Sequence, residues 1–128
     1  MQVNSAVAEA NFITPGTLIA AEKVNGTDVY NLTGEKLGTV VDIMIDRVRG
    51  RAIYAVMSFG GFLGMGEKYF PLPWANLKYD ARQNGYVVNL DKKLLEGAPS
   101  YDRNSEFTWT PDCGRNVDSY YKAPSYWM

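Results

Sequence analysis

The stretch LGTVVDIMIDRVRGRAIYAVMSF, Leu37 to Phe59, decides the fold. In its first half Val41, Ile43 and Ile45 alternate with Val40, Asp42, Met44 and Asp46, the period of two of a strand with one wetter face. The carboxylates mark that face as the outer one. RVRG then breaks the run and RAIYAVMSF resumes β-rich apolar texture, so Asp46 to Arg51 reads as a hairpin connection.

Working outward, Val24-Asn25-Gly26 and Leu32-Thr33-Gly34-Glu35 are turn signals set between short apolar runs. Downstream, GGFLGMGEKYFPLPW carries Phe70, Leu72 and Trp74 against Tyr69, Pro71 and Pro73. Prolines at alternate positions are tolerated only where the missing N–H faces away from a partner, which predicts an edge or rim strand. LKYDARQNGYVVNL holds another pair of runs about Asn84-Gly85. DKKLLEGAP predicts one short helix, with Asp91 as N-cap, Leu94 and Leu95 as anchors and Gly97 and Pro99 at its end. About six short strands and one helical turn predict an all-β chain folded as a small β-barrel, closed because strands this short leave edges to hide. The expected organisation is a flexible arm over residues 1–12, the barrel over 13–100 and an aromatic extension over 101–128, in which neither strand nor helix periodicity is visible.

The totals narrow the chemistry. A chain of 128 residues with 46% hydrophobic residues suits one core without metals or disulfides. Formal net charge is -1 and the pI is near 5.4, so no global positive field draws nucleic acid or anionic lipid. There is no histidine, which removes Ser-His-Asp and Cys-His catalysis and histidine metal sites, and the single Cys113 excludes an intrachain disulfide. Asp42 and Asp46, four apart on a strand, are ~13 Å apart, too far for paired acid and base work. The opening MQVNSAVAEANF lacks the basic and apolar regions of a secretory signal, and no run reaches the ~18 apolar residues of a membrane helix. A cytoplasmic protein without direct membrane insertion is the expectation.

Three groups are candidates for binding. The loop glycines run Gly61, Gly64, Gly66, the reverse of the dinucleotide spacing, and Lys68 leads into a proline strand rather than a helix, so a phosphate cradle is excluded. Phe62, Leu63 and Met65 then either plug one barrel end or form a tip that enters a partner. Fully burying them is worth about 4–9 kcal/mol together, against an association cost of about 4–15 kcal/mol, so a tip needs a second contact region. Arg47, Arg49 and Arg51 are a basic cluster on the hairpin, expected to pair with Asp42 and Asp46 and too few for a dedicated nucleic-acid binder. Tyr120, Tyr121 and Trp127, with the other tail aromatics, are expected to be pinned either to the same subunit or to a second one as a homodimer. The sequence leaves these two equal.

The run DVYNLTGEKLGTVVDIMIDRVRGRAIYAVMSFGGFLGMGEKYFPLPWANLKYD, followed by LLEGAPSYD, closely resembles the PRC-barrel family. The matching set is Val29-Tyr30 before Gly34-Glu35, Gly38, Asp42 and Asp46, Gly50-Arg51, the GGFLGMGEK loop, Pro73-Trp74 and Ala98-Pro99, over roughly Gly16 to Asp102. The resemblance implies a small β-barrel whose relatives act by contact. One relative is the cytoplasmic domain of the photosynthetic reaction-centre H subunit, and another is the C-terminal domain of a ribosome maturation factor that binds a ribosomal protein. Together these observations predict a non-enzymatic protein-interaction or assembly module needing no cofactor. A peripheral component of a membrane electron-transfer complex and a small-ligand binder in the barrel mouth are the alternatives.

Overall fold

The computed structural model describes residues 18–60, 67–102 and 108–127. In chain order these form α1 (Ala21–Val24), β1 (Asp28–Tyr30), β2 (Lys36–Asp46), β3 (Arg51–Gly60), β4 (Glu67–Pro73), a 3-10 turn (Trp74–Asn76), β5 (Lys78–Asp80), β6 (Gly85–Val87), α2 (Lys92–Glu96), β7 (Tyr101–Asp102) and α3 (Pro111–Tyr120). The chain is all-β in class, with one curled sheet in the order β5-β6-β1-β2-β3-β4-β7. Every neighbouring pair is antiparallel except β1 with β6.

The described residues form seven short strands, in line with about six. One expectation needs correction: among the described residues the sheet is not closed, since β5 and β7 end it without pairing to each other. Closure is unnecessary because the end strands are only three and two residues long and a helix covers the second face of the middle strands. On β3, Ala55 and Met57 face the main core with Val29, Val40, Phe70, Leu72 and Leu95. Tyr54 and Val56 point the other way and are equally buried. They lie on the side of α3, a helix the sequence reading did not foresee. Thr110 caps it by accepting the Cys113 N–H, and Pro111 occupies its first turn, where a missing N–H costs nothing.

The strict alternation expected along β2 also fails. The ladder pairs Val40 with Met57 and Asp42 with Val56, leaving Val41 as a bulge, and slips again between Met44 and Ile45. A one-residue slip transfers a side chain to the other face. Val40 is therefore buried, whereas Val41 is 38% and Ile45 53% exposed. β1 pairs with β2 only as far as Thr39, so on the side away from β3 the segment Val41–Asp46 has no strand partner among the described residues. There the Asp42 carboxylate accepts the N–H of Ile43 at 2.9 Å.

Other local readings hold. The β2–β3 connection falls within Asp46 to Arg51. Pro71 and Pro73 lie past Lys68 and Tyr69, the last β4 residues that β7 reaches, so their ring nitrogens oppose no ladder acceptor on that side. Asp91 caps α2 by accepting the Leu94 N–H at 2.9 Å. The Asn25-Gly26 turn, however, joins α1 to β1 rather than two strands.

Candidate functional site

The tip of the β2–β3 hairpin and the chain beyond α3 meet at one end of the molecule. The tip is built by Asp46, whose Oδ1 accepts the N–H groups of Val48 (2.9 Å) and Arg49 (3.0 Å), while its main-chain oxygen accepts that of Gly50 (2.7 Å). An aspartate folding back on the two following amides is a turn former, and Gly50 supplies the positive φ of 73° that completes the reversal. The second carboxylate oxygen, Oδ2, receives the Arg49 guanidinium at 2.8 Å and the Tyr126 hydroxyl at 2.5 Å. The Tyr126 hydroxyl, then the Arg49 backbone N–H and guanidinium, hold the Asp46 carboxyl well below the usual carboxylate range. That same bond to Asp46 raises the Tyr126 phenol.

The segment after α3, residues 122–127, lies across the barrel as a strap. Trp127 Nε1 donates to the Tyr54 hydroxyl at 2.7 Å, and that hydroxyl donates to Asp118 Oδ1 at 2.8 Å. Asp118 is 3% exposed, and its Oδ2 accepts the Tyr126 N–H at 3.0 Å. Burial, reinforced by the Asp118 carboxylate and opposed by the Trp127 bond, raises the Tyr54 phenol, so Tyr54 stays a donor. Trp109 lies against the Tyr54 ring with centroids 4.7 Å apart. The indole of Trp127 sits where a side chain on Gly114 would be: a Cβ there would lie 1.9 Å from Nε1 and 2.1 Å from Cε2. Glycine in mid-helix is the local concession that seats the tryptophan.

The structure separates the predicted site residues. Arg49 is tied to Asp46, as expected, but Asp42 takes an amide instead of an arginine. Arg47 and Arg51 are exposed and make no ion pair among the described residues. Between Arg47 and Arg49, Val48 is 89% exposed. In the tail, Tyr120 donates to the Leu94 carbonyl, Tyr121 packs on the core with a buried hydroxyl that finds no partner among the described residues, and Trp127 bonds Tyr54. Phe62, Leu63 and Met65 lie outside the described residues. Cys113 is a half-buried free thiol in the first turn of α3. Sequence reasoning missed Tyr54 and Asp118, and it took in Tyr126 only as one of the tail aromatics expected to be pinned. The Thr110-Pro111 helix start was the available signal, because a helix there must bury one face against something.

Two clefts flank the strap. One, of about 500 Å³, lies between the start of β3, the end of β4 and the strap. The other, of about 360 Å³, lies between β2, Trp109 and the two last described aromatics. No helix among the described residues is long and apolar enough to cross a membrane. No curated protein matches the chain. The family model for the PRC-barrel domain matches residues 16–95, which takes in β1 through β6 and most of α2 and leaves α3 and the strap beyond it. With well over half of its length matched, including the whole bulged hairpin on which the strap rests, the chain belongs to the PRC-barrel domain family.

Proposed function

We propose that the protein is a non-enzymatic interaction module that binds a protein partner with the end of the barrel carrying the β2–β3 tip. The observation that carries this reading is the composition of that tip: Val48 is 89% exposed between two arginines, and Ile45, 53% exposed, lies just before them on β2. An apolar side chain held out by a rigid turn is a contact element, and the nearby Arg47 and Arg51, which make no ion pair among the described residues, bias a partner's approach more than its final affinity. The turn is rigid because Asp46 organises it from within and the strap's Tyr126 fixes Asp46 from outside. The tail aromatics favour the tip over the tail as the contact, because Tyr120, Tyr121 and Trp127 are engaged by their own chain.

The non-enzymatic part of the reading rests on the chemistry in hand. The chain has no histidine, and the most buried carboxylate among the described residues, Asp118, is occupied by a phenol and an amide. The glycine loop with Phe62, Leu63 and Met65 is the second contact region in this proposal.

The test is quantitative affinity capture from lysate of the source organism, with soluble and membrane fractions kept apart. Wild type is compared with Val48→Asp and with a Phe62/Leu63/Met65 triple serine variant. A prey retained by wild type and lost with Val48→Asp, at unchanged circular dichroism, is the expected result. Identical retention by Val48→Asp and wild type would remove the hairpin tip from the reading.

A further inference from the structure

We propose that the larger cleft beside the strap is a binding site for a small carboxylate carrying a flat apolar body. Its volume of about 500 Å³ falls within the ~300–1,000 Å³ of small-ligand pockets. The walls are mostly apolar and two are flat: Ile53, Pro73 and Ala75 with the Trp74 ring on the barrel side, Pro124 and Tyr126 on the strap side. Such walls accept a planar hydrocarbon body, and the remaining polar groups decide what charge it carries.

Those groups are unbalanced. Arg51 lines the cleft and faces Asp46 across the β2–β3 ladder, the position from which a carboxylate would neutralise it. Asp46 is instead held by Arg49, Tyr126 and two turn amides, which leaves Arg51 without an ion pair among the described residues. Asp118, the only carboxylate lining the cleft among the described residues, is buried and accepts from Tyr54 and the Tyr126 amide. The Ser125 hydroxyl donates to the Trp127 carbonyl, and that of Tyr126 to Asp46. What remains on the lining side chains is a guanidinium and the Trp74 indole N–H, which has no acceptor among the described residues. A site whose uncommitted side-chain groups are all donors selects an anion, and a guanidinium takes a carboxylate through two parallel hydrogen bonds. This site is built by the strap as much as by the barrel, and it stands independently of the hairpin-tip proposal.

The experiment is a two-dimensional NMR titration of the full chain with 4-phenylbutyrate and, separately, with its neutral isostere 4-phenylbutyramide, following the Trp74 indole N–H and the Ser125 and Tyr126 amides. N-acetyl-alanyl-phenylalanine, as free acid and as amide, distinguishes a chain terminus from a free acid as the source of the same chemistry. The expected result is a saturable shift of these three signals with at least one acid, at least about tenfold weaker with the matching amide. Arg51→Gln weakens acid binding by about tenfold or more, while Arg51→Lys retains part of it. No saturable shift with either acid overturns the proposal. Equal titration by acid and amide overturns it too, and that comparison uses wild type alone, so it stands even if Arg51→Gln fails to fold.

Discussion

Replacing Gly114 by alanine sets two terms of known sign against each other. In the interior of α3, alanine is favoured over glycine by about 1 kcal/mol, so on helix propensity alone the substitution stabilises. The new Cβ would lie 1.9 Å from Trp127 Nε1 and 2.5 Å from Cζ2, far inside contact distance, so the indole has to leave its seat. Leaving forfeits the bond to Tyr54, worth about 1 kcal/mol, and the cover of a half-buried ring, worth about 1–1.5 kcal/mol at half the value of full burial. The net expectation for Gly114→Ala is a loss of about 1–1.5 kcal/mol. In a Trp127→Ala background the seat is empty and the same change should stabilise by about 1 kcal/mol, giving a coupling of about 2–2.5 kcal/mol. Urea unfolding followed by far-ultraviolet circular dichroism supplies the four stabilities, and amide exchange at Tyr126, whose N–H is held by Asp118, reports on the strap itself. Gly114→Ala stabilising equally in both backgrounds, with Tyr126 exchange unchanged, would refute the seating of Trp127 on α3.

Further outcomes are fixed by the same geometry. Tyr54→Phe removes the donor to Asp118 Oδ1 and the acceptor of the Trp127 N–H, and is expected to cost about 1–3 kcal/mol in denaturant unfolding, whereas loss of a mere surface contact would not register. Tyr121→Phe should be neutral or stabilising by up to about 1 kcal/mol, because its hydroxyl is buried without a partner among the described residues; clear destabilisation would reveal a bond not accounted for. With a folded pKa below the ~4 of an unfolded aspartate, Asp46 contributes stability that is present above that value and lost as pH falls through the folded one. Tyr126 and Tyr54, raised above the ~10 of free tyrosine, contribute stability present below that value and lost as pH rises through their folded values. Strap protection measured by amide exchange should therefore hold across the neutral range and fail at both extremes. In Asp46→Asn the acid limb contributed by Asp46 disappears.

What was legible in the sequence is what local chemistry dictates. The turn after Asp46, the cap at Asp91 and the edge position of Pro71 and Pro73 each depend on a few adjacent residues, and each is where the pattern put it. The outward turn of Val41 and Ile45 was not legible, because a bulge is set by the register of the neighbouring strand rather than by the alternation of its own. Helix α3 was hidden by its composition: Gly114, Asn116, Asp118 and Ser119 are poor helix formers, and the surrounding aromatics drew the reading toward an irregular segment. The strap network joins Asp46 to Tyr126 and Tyr54 to Asp118 across most of the chain, and no periodicity connects positions so distant.

The edge of β2 that no described strand covers also bears on how the protein survives at high concentration. Val41 to Asp46 is a short, β-branched, apolar segment of the type that stacks into fibrils when an edge is left open. Here the ladder is kinked at Val41, one free amide is already occupied by the carboxylate of its neighbour, and a second aspartate closes the segment. A copy approaching edge-on meets negative charge and a bent strand instead of a flat row of donors and acceptors. Asp42 thus acts as a gatekeeper, and Asp42→Ala should shorten the lag before thioflavin-positive aggregates form while leaving the fold unchanged. If its lag equals that of wild type, the kink alone guards the edge.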